Sequence, residues 1–277
     1  MAELPLPKKV FIVVDPSQDN AIALDRALVT AQNYAKSDDG TQPSLHVFLA
    51  VDMDNTDTSA KNEKVRRHRD WFTKTVMEPL DQSGFEWDME LSWSSDWYGS
   101  IQKAAEACSA ELILFPMAKK LSASTLIFNE SVWRLLRTAP CPVLIVKPDS
   151  SSQRKKVLTA VNFQSHKPAY AELNDRVISR GRWMAGVYGA EMHVVNAYED
   201  SLNYPDRTKL TNSTGVDSAN IHVQSGDADE VISAVADKVD ADIVVLGVRN
   251  RNSRWRGNTL EKIITKVNCD ILAIHQS

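Results

Sequence analysis

The stretch with the clearest chemical potential is Gly247-Val248-Arg249-Asn250-Arg251-Asn252-Ser253-Arg254-Trp255-Arg256-Gly257-Asn258-Thr259. It leaves an apolar run, carries four arginines and opens an amphipathic segment. Glycines admit close approach to the backbone, and amides and a Thr hydroxyl donate to an anion, so Gly247, Gly257, Asn258 and Thr259 have the composition of a phosphate cradle. The alternative is structural: Gly257 and Asn258 cap a helix, and the arginines are solvated. Asn162, at the end of another apolar run, offers hydrogen bonds to a ribose or base, or an Asx turn that caps the next helix.

Other chemistry is sparse. The loop from Gly247 to Thr259 holds no Asp, Glu or His, and the nearest acid, Glu261, falls inside the next helix. Arginines hold charge without activating a nucleophile, so no catalytic residue and no enzymatic turnover are expected. Ser131 and Thr259 lack a His and an acid in any recognisable relation, which argues against a hydrolytic triad. His46, His68, His166, His193, His222 and His275 form no constellation and are read as structural or exposed. No Cys or His pair has ligand spacing, so no metal is expected. Trp71, Trp87, Trp93, Trp97 and Trp133 crowd the first half. They are read as core or interface packing, with the walls of an apolar ligand pocket as the alternative.

The elements that position these residues come from an internal duplication. Lys8 to Asp15 resembles Lys155 to Asn162; Ser94 to Met117 lies over Ser225 to Val248 without a gap; Ser131 to Lys147 lies over Thr259 to His275, with Cys141 on Cys269. Three segments in one order imply a repeated domain. A near-continuous apolar run such as Val10–Val14 predicts a strand buried on both faces, and further strands are predicted at Leu45–Val51, Glu86–Trp93, Leu112–Phe115 and Val143–Val146. Their counterparts are 157–161, Glu191–Tyr198, Asn220–Gln224, Ile243–Leu246 and Ile271–Ile274. Amphipathic helices are predicted at Ala21–Ala35, capped by Asp19 or Asn20, and at Pro168–Tyr188. Two more follow Asp96 and Asp227 at Tyr98–Ser109 and Asp229–Val239, and the last are Ser131–Arg137 and Thr259–Val267. The first copy adds a charged helix from about Thr58 to Gln82. The shorter polar stretch Glu199–Ala219 of the second reads as a mobile loop.

Alternation of strand and helix predicts α/β architecture: two tandem doubly wound parallel sheets, at 1–149 and 154–277, joined by the polar linker Asp149–Gln153. Each last strand is an apolar edge that needs covering, so the halves are expected to pair through Val143–Val146 and Ile271–Ile274 as an intrachain pseudo-dimer. The 277 residues carry 32 Lys and Arg against 36 Asp and Glu, a net charge of −4. The excess lies in the first half, where 16 basic residues face 21 acidic ones up to Asp149. Without a basic excess, nucleic acid is not an expected partner. No charged start precedes a long apolar run, and no run reaches the roughly 18 residues that span a bilayer, so no membrane partner is expected. Cys108, Cys141 and Cys269, few and set in apolar patterns, read as buried reduced thiols of a cytoplasmic protein.

The duplication, the fourth-strand loop and the Thr138-Ala139-Pro140-Cys141-Pro142-Val143-Leu144-Ile145-Val146 ending of the first copy resemble the universal stress protein family, in its tandem bacterial E type. The likeness runs over essentially the whole chain. It implies an adenine nucleotide alpha hydrolase-like fold and a stress-response binding or regulatory role. In nucleotide-binding members, the loop runs Gly, two residues, Gly, nine residues, Gly, then Ser or Thr. Gly247 and Gly257 match the outer glycines, with Thr259 beyond Asn258. Asn250 takes the second glycine's place, and the interval to Gly257 is three residues short. In the first copy Pro116, Lys119 and Asn129 replace all three glycines, and Glu130 sets a negative charge where an anion would lie. The resemblance therefore implies that ATP, where it binds, binds the second domain: Asn162 and the backbone near Ala197 hold adenosine, and Gly247, Asn250, Gly257, Asn258 and Thr259 hold phosphates. It further implies a small-molecule ligand and association into a homodimer. Alternatives are a nucleotide-gated switch or slow ATPase, and an apolar-ligand binder using the Trp-rich half.

Overall fold

A computed structural model describes residues 7–16, 18–37, 42–52, 69–117, 130–164, 168–248 and 259–275. Two compact units emerge, one over Pro7–Pro148 and one over Asp149–Ser277.

In the first unit, β1 (Lys9–Val14), β2 (Ser44–Asp52), β3 (Trp87–Ser94), β4 (Leu112–Pro116) and β5 (Val143–Val146) form a parallel sheet in the order β3-β2-β1-β4-β5. In the second, β6 (Lys156–Ala160), β7 (Glu191–Tyr198), β8 (Ile221–Ser225), β9 (Ile243–Val248) and β10 (Asp270–His275) repeat it as β8-β7-β6-β9-β10. Both sheets are doubly wound, as the alternating pattern requires. The central strands are apolar because they are covered on both faces: Phe11, Ile12, Val13, Ile113, Val157, Leu158, Val244 and Val245 are fully buried. In each sheet the order reverses beside the first strand, between β1 and β4 or between β6 and β9, which opens a crevice at the strands' carboxyl ends.

Helix α1 (Ile22–Ser37) closes its first turn on the Ala21 carbonyl, which accepts from the Asp25 N–H at 3.0 Å. Ala21, rather than Asp19 or Asn20, thus flanks the helix. The inserted helix, α2, is described over Arg69–Phe72, Thr73–Met77 and Glu78–Ser83, its middle piece wound as a π-helix. Pro79 explains the widening, because proline lacks an N–H and its ring crowds the carbonyl four residues earlier, at Thr75. The expected start of this helix, Thr58 to His68, lies outside the described residues. Helices α3 (Trp97–Ala107) and α4 (Glu130–Thr138) complete the unit. Asp96 caps α3, its carboxylate accepting from the Gly99 N–H at 3.2 Å.

The second unit holds α5 (Pro168–Tyr188), α6 (Arg207–Thr214), α7 (Ala228–Val239) and α8 (Thr259–Lys266). Asp227 flanks α7 as expected, yet its side chain makes no capping bond. The stretch 199–219, read from composition as a mobile loop, is instead a series of capped turns around α6. Asp200 caps a 3-10 turn through the Leu202 N–H, Asp206 accepts from the N–H groups of Thr208 and Lys209, and Asp217 caps a second turn through Ala219. Gly215, at φ +64°, ends the helix in the left-handed conformation that suits glycine. Arg182 of α5 donates to the Thr214 and Ser213 carbonyls, satisfying acceptors left over at the helix end. Aspartates that signal loop by composition act here as N-caps, and buried Leu210 supplies the apolar anchor.

Candidate functional site

The crevice of the second unit lies where β6 and β9 part. Asn162 and its neighbours leave β6 in an irregular segment held by amide side chains from two other elements. Asn174 of α5 brackets the Asn162 backbone: its Oδ1 accepts from the Asn162 N–H at 2.9 Å and its Nδ2 donates to the Asn162 carbonyl at 2.8 Å. Asn196, fully buried in β7, accepts from the Phe163 N–H at 2.8 Å and donates to the Ala197 carbonyl at 2.9 Å. Gln164 Nε2 donates to the same carbonyl. Sequence reasoning missed Asn174, Asn196 and Gln164. The signal was an amide inside an apolar run, Val194-Val195-Asn196-Ala197, since a polar side chain is buried only with partners.

Of the candidate ligand-holding residues, Asn162 and Ala197 are brought to one place, both half-buried, but the Ala197 carbonyl already accepts two side-chain donors. Gly247 sits in β9 at the crevice, and its contacts give it a role different from the expected one. A Cβ there would lie 2.7 Å from both Cγ and Cδ2 of Leu173. Leu173 is a buried residue of α5, directly before Asn174. The glycine therefore makes room for a leucine of the same unit. Thr259 opens α8 and is exposed. Asn250, Gly257 and Asn258 lie outside the described residues, as do the four arginines.

At the same place in the first unit, Gln18 closes a turn on Asp15, its N–H donating to the Asp15 carbonyl at 3.1 Å and its Nε2 to the carboxylate at 3.3 Å. Pro116 ends β4 where β9 has Gly247, and α4 starts at Glu130. Lys119 and Asn129 are outside the described residues.

Three histidines lie beside titratable partners. His46 of β2 and His193 of β7 occupy the same position in the two copies, and both are buried. His46 Nδ1 lies 2.5 Å from Asp88 Oδ1 and its Nε2 3.9 Å from Glu90. His193 Nδ1 lies 3.3 Å from His222 Nε2, and its Nε2 is 3.3 Å from Glu191. Burial, then the charges of His193, Lys238 and Arg207, push the His222 pKa below its ordinary value. A hydrogen bond from Asn220 and the nearby His193 lower that of Glu191. Among the described residues no group of three or more His, Cys, Asp or Glu is placed to hold a metal ion.

Trp97 packs with Tyr98 and Phe115, Trp71 donates to the Asp19 carbonyl, and Trp93 is turned outward. Cys141 and Cys269 are buried, whereas Cys108 is only half so, and its partial burial raises the thiol pKa. Among the described residues no helix is long and apolar enough to cross a membrane.

Comparison with known proteins agrees with this architecture. The chain is 25% identical to universal stress protein E of Photorhabdus laumondii, covering 96% of this chain and 94% of that protein. It is 26% identical to universal stress protein E of Escherichia coli, over 96% and 93% of the two chains. Among solved structures, a functionally unknown protein from Pseudomonas aeruginosa matches 98% of this chain and 93% of its own with a TM-score of 0.77 at 23% identity. A universal stress protein from Archaeoglobus fulgidus matches 97% and 96% with a TM-score of 0.70 at 15% identity, which speaks for the fold alone. The universal stress protein family matches twice in sequence, over residues 7–147 and 177–275, once in each of the duplicated sheets, and the chain belongs to that family.

Proposed function

We propose that this universal stress protein serves the stress response by binding a small molecule in the crevice of its second unit, without turning it over. The observation that carries this reading is the chemistry of the crevice. Asn162, Gln164, Asn174 and Asn196 are all amides, and residues 161–164, Gly247 and Val248 include no Asp, Glu, His or Lys. Amide side chains fix the shape of this crevice, those of Asn174 and Asn196 bonding the backbone at Asn162, Phe163 and Ala197. They neither remove nor deliver a proton near neutral pH, which acid-base catalysis requires.

An adenine nucleotide is the ligand class we propose, with Asn162 toward the nucleoside and Thr259 toward the phosphates. The second unit is preferred because Pro116 and Glu130 stand in the first where Gly247 and Asn258 stand in the second. Calorimetric titration of ATP with magnesium into wild type, Asn162→Ala and Gly257→Glu tests this. One site per chain, weakened in both variants, is the expected result. Binding that neither variant alters would place the ligand elsewhere, and absence of binding would remove ATP as the ligand. Hydrolysis should stay well below about 1 per second. Turnover at or above that rate, abolished by Thr259→Ala, would overturn the binding role in favour of an ATPase.

We also propose that the two units pair through β5 and β10. Each strand ends its own five-stranded order, and its apolar stretch, Val143–Val146 in β5 and Ile271–Ile274 in β10, is an edge that requires a cover.

A further inference from the structure

We infer that this chain forms a symmetric dimer through β3, two copies pairing antiparallel with Leu91 on the twofold axis. β3 is an outer strand of the first unit's sheet, and among the described residues no strand pairs with its far side. It reads Trp87-Asp88-Met89-Glu90-Leu91-Ser92-Trp93-Ser94. Met89, Leu91 and Trp93 share one face and are 37%, 58% and 47% exposed. Large apolar side chains at three alternate positions of an edge strand form a stripe of the kind that marks an interface.

The duplicated unit supplies a control. Its corresponding edge, β8, has five residues, Ile221-His222-Val223-Gln224-Ser225, and none is a large exposed hydrophobic. Arg207 donates to the carbonyls at Ser218 and Ile221, closing the start of that strand. The exposed stripe is a property of the first unit's edge and not of the fold.

The sequence of β3 also selects the partner. The Glu86 carbonyl accepts from the Leu45 N–H, so even-numbered residues point their backbone groups at β2. Trp87, Met89, Leu91 and Trp93 therefore point theirs outward. With Leu91 on the axis, Leu91 faces the other Leu91 as a hydrogen-bonded pair, and Met89 faces Trp93 twice. Those pairs set apolar on apolar, with sulfur against an aromatic ring. On the opposite face Glu90 meets Ser92 and Asp88 meets Ser94, so each carboxylate lies against a hydroxyl. The neighbouring register, centred on Glu90, would set Glu90 against its own copy, a like-charge pair that disfavours it. The acids that usually guard an edge are drawn toward His46, which lies 2.5 Å from Asp88 and 3.9 Å from Glu90. One strand is thus complementary to itself in face, charge and backbone.

Sedimentation equilibrium on the full chain across the micromolar range tests the dimer, and two substitutions test the register. Wild type should show a concentration-dependent monomer–dimer equilibrium. Ser92→Lys adds two attractive pairs with Glu90 and should tighten it by about two- to thirtyfold, whereas Ser92→Glu should loosen it by a similar factor. In a Cys108→Ser background, a short bismaleimide should link Leu91→Cys chains, whose Cα atoms would lie about 5.5 Å apart. It should not link Met89→Cys chains, which would be separated by roughly 13 Å along the strand. Circular dichroism verifies that each variant is folded. A wild type that stays monomeric overturns the inference, as does a dimer indifferent to the sign of charge at position 92 or linked equally at 89 and 91.

Discussion

Gly247 offers a sharp test because two kinds of chemistry predict different outcomes for one methyl group. If the glycine exists to let a phosphate approach, Gly247→Ala weakens ligand binding and leaves folding unchanged. The structure points the other way, since the added Cβ would meet Leu173 Cγ and Cδ2 at 2.7 Å, well inside van der Waals contact. Leu173 is buried, so it cannot swing into solvent, and overpacking of this kind costs about 1–3 kcal/mol. Leu173→Ala alone should cost about 2–5 kcal/mol through the cavity it leaves. In the double variant the alanine at 247 occupies space the leucine has vacated. Its cost should therefore fall short of the sum by about 1–2 kcal/mol. Urea unfolding followed by far-ultraviolet circular dichroism reads all four proteins, with calorimetric ATP titration run beside it. Additive costs within about 0.5 kcal/mol, or a Gly247→Ala protein of wild-type stability, would refute the packing argument.

Two further outcomes follow, one from an ion-pair cluster in the second unit and one from the proposed pairing of β5 with β10. Asp229 is buried, which alone would raise its pKa, but hydrogen bonds from Lys266 and Lys262 outweigh burial and hold the carboxyl below its ordinary value. The unfolded chain then binds the extra proton first, so this contribution is complete above about pH 5 and lost as pH falls through the folded value; Asp229→Asn should flatten acid unfolding curves there. If β5 and β10 cover each other, Ile145→Lys should split thermal unfolding of the chain into two transitions, and an unchanged profile would count against the pairing.

The strands were legible because burial on both faces leaves continuous apolar runs, as at Val10–Val14 and Ile243–Leu246, and the duplication gave each run a second reading. Asp206 and Asp217 were harder, since an N-cap and a loop aspartate have the same letter and differ only in the residues downstream. Here buried Leu210 and the Gly215 stop were the discriminating residues. The surroundings of the candidate residues were harder to read. Asn162 and Gly247 do flank the crevice, but their partners, Asn174, Asn196 and Leu173, are distant in sequence or hidden in apolar runs. The pairing of His193 with His222 likewise depends on neighbouring strands, which no local pattern records.

The amide clamp around Asn162 has a consequence for proton linkage. Asn162, Gln164, Asn174 and Asn196 keep the same charge across the whole range in which carboxylates and imidazoles titrate. A molecule seated on the backbone they hold would exchange no protons with these side chains on binding, so they would add no pH dependence to its affinity. A calorimetric titration repeated in buffers of different ionisation enthalpy would then return the same heat for any ligand that does not itself titrate. Such a crevice would keep its grip on that ligand as the surrounding acidity drifts.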